Sequence, residues 1–103
     1  MIVRIWHGRT ARHRADDYAA FLERRAIPDC RKVKGNVDVT ILRNDELDVS
    51  HFLTITRWES EDAIRAFAGT DEIFMAKYYP EDEEFLLEME PEVRHYYLVA
   101  KAP

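Results

Sequence analysis

The amino-acid sequence predicts a small α+β domain with its elements in the order β-α-β-β-α-β. Alternating or β-branched apolar runs mark strands near the start, the middle and the end of the chain. Two stretches with helical spacing separate them. Ser, Asp, Gly and Pro stand where those stretches should begin or stop. This order is the split βαβ arrangement of the ferredoxin-like fold.

Each element has its own justification. Ile2 to His7 is rich in β-branched and aromatic residues and reads as the first strand, followed by a polar, basic loop over Gly8 to His13. Asp16 or Asp17 can open a helix, where carboxylates meet free N–H groups. Tyr18, Phe21, Leu22 and Ala26 then recur at helical spacing. That helix should weaken at Ile27-Pro28, because proline disfavours the α conformation in the residue before it. Lys34-Gly35-Asn36 is a turn signal. Val37, Val39 and Ile41 alternate with polar residues as the second strand, and Asn44 to Asp48 forms a hairpin loop. Val49 to Trp58 is the third strand, apolar enough to suggest cover on both faces.

Ser60 is a good N-cap for the second helix, whose stripe is Ala63, Ile64 and Phe67 and whose stop is Gly69. Thr70 can cap a further helical segment over Asp71 to Tyr78, which Tyr79-Pro80 breaks. Glu81 to Leu87 can form loose helical turns, and Val93 to Ala100 is the fourth strand. Two helices can cover only one face of such a sheet. A second copy packed sheet on sheet would cover the other, so a homodimer is expected.

The chain has 103 residues, which bounds it to one domain over 1–103, with no linker, repeat or low-complexity stretch. Its net charge of −5 argues against nucleic-acid binding. The charge is uneven: residues 1–34 carry nine Lys/Arg against four Asp/Glu, and residues 35–103 carry six against sixteen. Ordinary solvated surface explains this, and so would complementary patches that steer self-association. The single cysteine, Cys30, gives no internal disulfide and reads as a small buried hydrophobe. No run approaches the roughly 20 apolar residues of a membrane span, and the N-terminus is too briefly apolar for a signal peptide. A cytoplasmic protein is the expectation. His7, His13, His51 and His95 show no metal-ligand spacing. There is no phosphate loop and no nucleophile elbow, so neither metal nor nucleotide cofactor is expected.

Several segments together carry a family likeness. They are Thr56-Arg57-Trp58-Glu59-Ser60, Asp62 to Phe67, Ala76 to Asp82, and Val93-Arg94-His95-Tyr96. The chain resembles the antibiotic biosynthesis monooxygenase domain family, within the dimeric α+β barrel superfamily. The resemblance implies a ferredoxin-like dimeric barrel with a cleft between sheet and helices. Its members include oxygenases of polycyclic phenols that use dioxygen without a cofactor, oxidases of small quinols, and heme-degrading proteins. The heme branch uses an asparagine on the first strand, a tryptophan on the second helix and a histidine ligand beyond it. The counterparts here fall near His7, Phe67 and Lys77, and none of the three matches in type.

By that resemblance, the residues expected to line the cleft are His7, Phe21, Phe67, Phe74, Lys77 and Tyr78. A cofactor-free oxygenase needs a dry aromatic pocket, a base, and donors for the developing oxyanion. His7 is the expected base, since imidazole titrates near neutral pH, with Tyr78 or Lys77 stabilising the oxyanion. Phe21, Phe67 and Phe74 would hold the substrate. Blander readings stand beside these: His7 and His95 as hydrogen-bonded structural residues, Trp6 and Trp58 as core, and Glu81 to Glu84 as a solvated acidic run. Two functions follow. One is an oxygenase or oxidase of a small electron-rich aromatic. The other is a non-catalytic dimeric module that binds a small ligand or has a structural role. A hollow cleft with an inward histidine or tyrosine favours the first, and a cleft filled by the three phenylalanines favours the second.

Overall fold

The computed structural model describes residues 1–103. Strand β1 runs over Ile2–Ala11, β2 over Asn36–Glu46, β3 over Val49–Trp58 and β4 over Arg94–Tyr97. They form one antiparallel sheet of order β2-β3-β1-β4, the ferredoxin-like order. Helix α1 spans residues 15–31, α2 is Glu61–Ala68 and α3 is the single turn Asp82–Phe85. No helix is long and apolar enough to cross a membrane.

Strand β1 outruns its expected end by four residues, because Gly8 to Ala11 keep pairing with Phe52 to Val49 of β3. The β2–β3 hairpin is tighter than expected. Its strands pair out to Glu46 and Val49, leaving a turn at Leu47 and Asp48 with Leu47 at φ 52°.

Helix α1 does not stop at Pro28. It passes from an α-helical turn, Ala15–Phe21, through a π-helical turn, Leu22–Ala26, into a second α-helical stretch, Ile27–Arg31. In the π turn the Ile27 N–H donates to the Leu22 carbonyl, five residues back. The wider turn makes room for a proline ring that would otherwise press on the carbonyl four residues before it. Ile27 keeps helical dihedrals, φ −60° and ψ −53°, despite the proline that follows.

Helix α2 follows its sequence signals: the Ser60 side chain accepts from the Ala63 N–H, and Gly69 ends it at φ 74°. The segment after it does not form the expected helix over Asp71 to Tyr78. A run that short is a weak helix by itself, and its backbone groups find other partners. Val93 N–H donates to the Phe74 carbonyl and Ala76 N–H to the Pro91 carbonyl, so a short turn at Ile73 and Phe74 leads into an isolated antiparallel bridge between Met75 and Glu92. Strand β4 is correspondingly shorter than Val93 to Ala100.

All helices lie on one face of the sheet. That face presents Ile2, Arg4, Trp6 and Gly8 from β1, and Phe52, Thr54, Thr56 and Trp58 from β3. The buried apolar residues form two clusters. One joins Ala15, Tyr18, Phe21, Leu22, Ala26, Phe52 and Leu86; the other joins Ile2, Cys30, Trp58, Ala63 and Ile64. On the opposite face, Val3, Ile5, Leu53 and Ile55 are half-buried and Leu42 and Tyr96 are exposed.

Candidate functional site

A cavity of about 60 Å³ lies between the sheet and the helices and takes members of both core clusters into its lining. Arg4 and Trp6 of β1 and Thr54 and Thr56 of β3 form the floor, and Trp6 pairs with Thr54 and Arg4 with Thr56. Tyr18, Leu22, Ala26 and Cys30 of α1 form the long wall. Phe67, Lys77, Tyr78, Tyr79, Asp82 and Val93 complete it.

The floor depends on Gly8. A Cβ at that position would sit 2.4 Å from the six-membered ring of Trp6, so only glycine lets the indole lie along the strand. The indole Nε1–H donates to the Tyr78 hydroxyl at 3.3 Å, and that hydroxyl donates to the Glu90 carbonyl at 2.5 Å.

Two carboxylates organise the walls. Asp29 accepts from Lys77 Nζ at 2.9 Å, from Lys32 at 2.9 Å and from the Tyr79 hydroxyl at 2.5 Å. Burial pushes Asp29 up, but the bonds from Tyr79, Lys32 and Lys77 outweigh it and hold the carboxyl below its ordinary range. Lys77 also donates to the Phe67 carbonyl at 2.9 Å. Asp82 is 3 % exposed and accepts from the Tyr18 hydroxyl at 2.9 Å and the Tyr79 N–H at 2.7 Å. Burial raises its pKa, against the pull of those two bonds. Burial also raises Tyr18, Tyr78 and Tyr79 above the ordinary phenol value and pushes the Cys30 thiol up to about 12. The lining thus combines neutral hydroxyls, a neutral thiol and a carboxyl whose pKa burial raises with the cations Arg4 and Lys77.

Of the residues expected at the cleft, Phe67, Lys77 and Tyr78 line it. Phe21 does not reach the hollow. It is buried behind Tyr18, with ring centroids 5.9 Å apart. Phe74 is 51 % exposed, because it sits in a short turn, closed by the Met75 N–H on the Glu72 carbonyl, rather than on a helix. His7 stands on the other face of the sheet, one residue out of phase with Trp6. There its Nδ1 lies 2.5 Å from Glu90, and its Nε2 lies 3.0 Å from Nδ1 of His51.

The structure adds Arg4, Trp6, Tyr18, Tyr79 and Asp82 to the site. Arg4 carried a signal: it is a charged residue at an even, inward-facing position of an apolar strand. Asp82 carried little, since it sits in the acidic run Glu81 to Glu84, whose other members lie at the surface or partly so.

A four-stranded antiparallel sheet of this order, with a hollow between it and its helices, defines the ferredoxin-like α+β class. The family model for antibiotic biosynthesis monooxygenases matches residues 1–76, and the chain belongs to that family. Among solved structures it is similar to a candidate antibiotic biosynthesis monooxygenase of Nitrosomonas europaea, at 14% identity and TM-score 0.69, over 97% of this chain and 100% of that one. It is similar to PA3566 of Pseudomonas aeruginosa at 16% identity and TM-score 0.68, over 96% and 94%. The heme degrader MhuD of Mycobacterium tuberculosis, with two hemes in its active site, gives 17% identity and TM-score 0.66 over 100% of both chains. At these identities the likeness is one of fold. A search of curated proteins finds no match.

Proposed function

We propose that this protein is a homodimeric oxidase or oxygenase of a small electron-rich aromatic, using dioxygen without a metal or flavin. The observation that carries the reading is the cavity itself. It is not filled by Phe21, Phe67 and Phe74; three tyrosines and a buried carboxyl line it instead. Family membership supplies the reaction class. The dimer is supported by the half-buried Val3, Ile5, Leu53 and Ile55 on the face no helix covers.

Because His7 faces away from the cavity, the proton-acceptor role passes to Asp82, the carboxyl in the lining, whose pKa burial raises above the ordinary carboxylate value. For a quinol, the hydroxyl proton goes to Asp82 and the electron-rich anion reduces dioxygen. Loss of the second proton completes the conversion of quinol to quinone and of dioxygen to hydrogen peroxide. Arg4 and Lys77 are the cations in the lining that would stabilise the anion, while the Tyr78 hydroxyl already donates to the Glu90 carbonyl.

Heme fits this site poorly. Lys77 stands where the heme branch carries its histidine, and its ammonium is held by Asp29 and the Phe67 carbonyl, which leaves no lone pair for iron.

Dioxygen uptake by metal-free protein over a panel of quinols and polycyclic phenols tests the reading. On a substrate that is consumed, Asp82→Asn should lose about 10²-fold or more in turnover, the lower end of general-base contributions. Substitution of His7 should leave turnover by a correctly assembled protein intact. If no member of the panel is consumed, the non-catalytic ligand-binding module is the better reading.

A further inference from the structure

We infer that the cavity's ligand is a single-ring aromatic carrying an anionic oxygen, seated with that oxygen on Arg4 and Thr54. The inference rests on the aromatic-ligand reading above and narrows it.

Arg4 is 3 % exposed and lines the cavity, yet it pairs with no carboxylate. Its Nη1 donates to the Ile73 carbonyl at 2.5 Å and faces Nε2 of His95 at 3.1 Å; its Nη2 donates to the Met75 carbonyl at 3.0 Å. Its guanidinium carbon lies 5.8 Å from the centre of the Phe67 ring. Every one of these partners is neutral or a dipole. A buried cation without a counter-charge is costly, and nature pairs nearly all of them.

The other charges around the hollow do not supply the missing anion. Lys77 and Asp29 cancel each other at 2.9 Å. Cys30, Tyr18 and Tyr79 are neutral near pH 7, because burial raises each. Asp82 is the one carboxyl in the lining, and its two oxygens are taken by Tyr18 and the Tyr79 N–H. Arg4 is thus left with no carboxylate among its own partners.

A second observation points the same way independently. The Thr54 Oγ1 is buried on the cavity floor with no hydrogen-bond partner. A buried hydroxyl left unpaired is rare and costs stability, which an acceptor on a ligand would return. Thr54 sits two residues along β3 from Thr56, the register partner of Arg4, and side chains two apart share a face. A carboxylate or an ionised ring hydroxyl could therefore accept from both. The volume of about 60 Å³ points to a small ligand, since it is below the roughly 150 Å³ of a cavity that takes one benzene ring, and two fused rings would require the walls to open further still.

The test compares benzoate with benzyl alcohol, which share the ring but differ in charge. Binding is followed at pH 7 by the indole N–H signals of Trp6 and Trp58 in ¹H–¹⁵N spectra. Wild type should bind benzoate at least about tenfold more tightly than benzyl alcohol, the scale of one charge-assisted hydrogen bond. Arg4→Met should abolish the preference. Thr54→Val, which keeps the side-chain shape, should reduce it severalfold, and it serves alone if Arg4→Met does not fold. Equal affinity of wild type for the two compounds overturns the anion assignment and leaves the aromatic reading in place. A benzoate preference untouched by the substitutions also overturns it. No shift of Trp6 by either compound overturns the aromatic reading and this inference with it.

Discussion

Arg4 and His95 face each other across 3.1 Å, guanidinium Nη1 to imidazole Nε2. A guanidinium has only donors, so the histidine nitrogen must accept, and His95 is held neutral with its proton on Nδ1. Burial first, and the charge of Arg4 second, lower the pKa of His95 below the ordinary imidazole value.

This pairing predicts acid sensitivity. The unfolded chain takes up a proton on His95 near pH 6.5, but the folded chain does so only at lower pH. Folding is unopposed by this group above about pH 6.5, and stability falls as pH drops from there through the folded pKa. Urea midpoints at pH 7.5 and pH 5.5 should differ more in wild type than in His95→Gln, whose amide oxygen can still accept from Arg4. Identical differences in the two proteins would refute the assignment.

The uncovered sheet face predicts the assembly. His7, Leu53 and Leu42 form one cross-strand row on it, and Ile5, Ile55 and Thr40 form the next. Sedimentation at micromolar concentration should show a dimer for wild type. Leu53→Glu places a carboxylate in the middle of that face and should give a folded monomer. A monomeric wild type would remove the sheet-on-sheet arrangement.

Gly8→Ala should cost about 1–3 kcal/mol, the usual penalty for forcing atoms into a packed site. The new methyl meets Trp6 rather than a flexible chain end. The indole must therefore tilt, and its bond to the Tyr78 hydroxyl should break. Denaturant unfolding measures the first effect, and a shifted Trp6 indole N–H signal reports the second.

Leu47→Asn should stabilise the protein by about 1 kcal/mol. Leu47 is 88 % exposed and holds φ 52°, a left-handed conformation that costs an ordinary side chain roughly that much and that asparagine tolerates. The residue contributes little packing to lose. A thermal midpoint unchanged or lowered by the substitution would contradict this.

The strand order and both main helices were legible because each is written in local, repeating patterns: Val37, Val39 and Ile41 alternate, and Ser60 and Gly69 bracket a stripe. The segment from Asp71 to Tyr78 misled because Thr70 does bond the Glu72 N–H, a cap-like contact, while the backbone partners that decide its shape lie twenty residues downstream at Pro91 and Val93. The site was half legible for a similar reason. Phe67, Lys77 and Tyr78 follow from the family pattern. Placing His7 rather than Trp6 in the cavity is an error of one residue, and in a strand one residue is a whole face. Asp82 could not be told from Glu81, Glu83 and Glu84 without knowing that Tyr18 lies over it.

The π-helical turn in α1 sets the phase of the cavity's long wall. Tyr18, Leu22, Ala26 and Cys30 are spaced by four, and all four line the hollow. In ordinary α-helix, positions four apart drift around the axis by roughly 40° a step, or roughly 120° from first to last. The wider winding over Leu22–Ala26 advances less per residue and takes much of that drift back. Winding the same number of residues as ordinary α-helix would rotate everything beyond the turn by roughly 100°. Cys30 would leave the wall, and Asp29 would swing away from Lys77 and Tyr79. The wall stays in phase with the floor across its whole length because the helix carries one residue more than α winding requires.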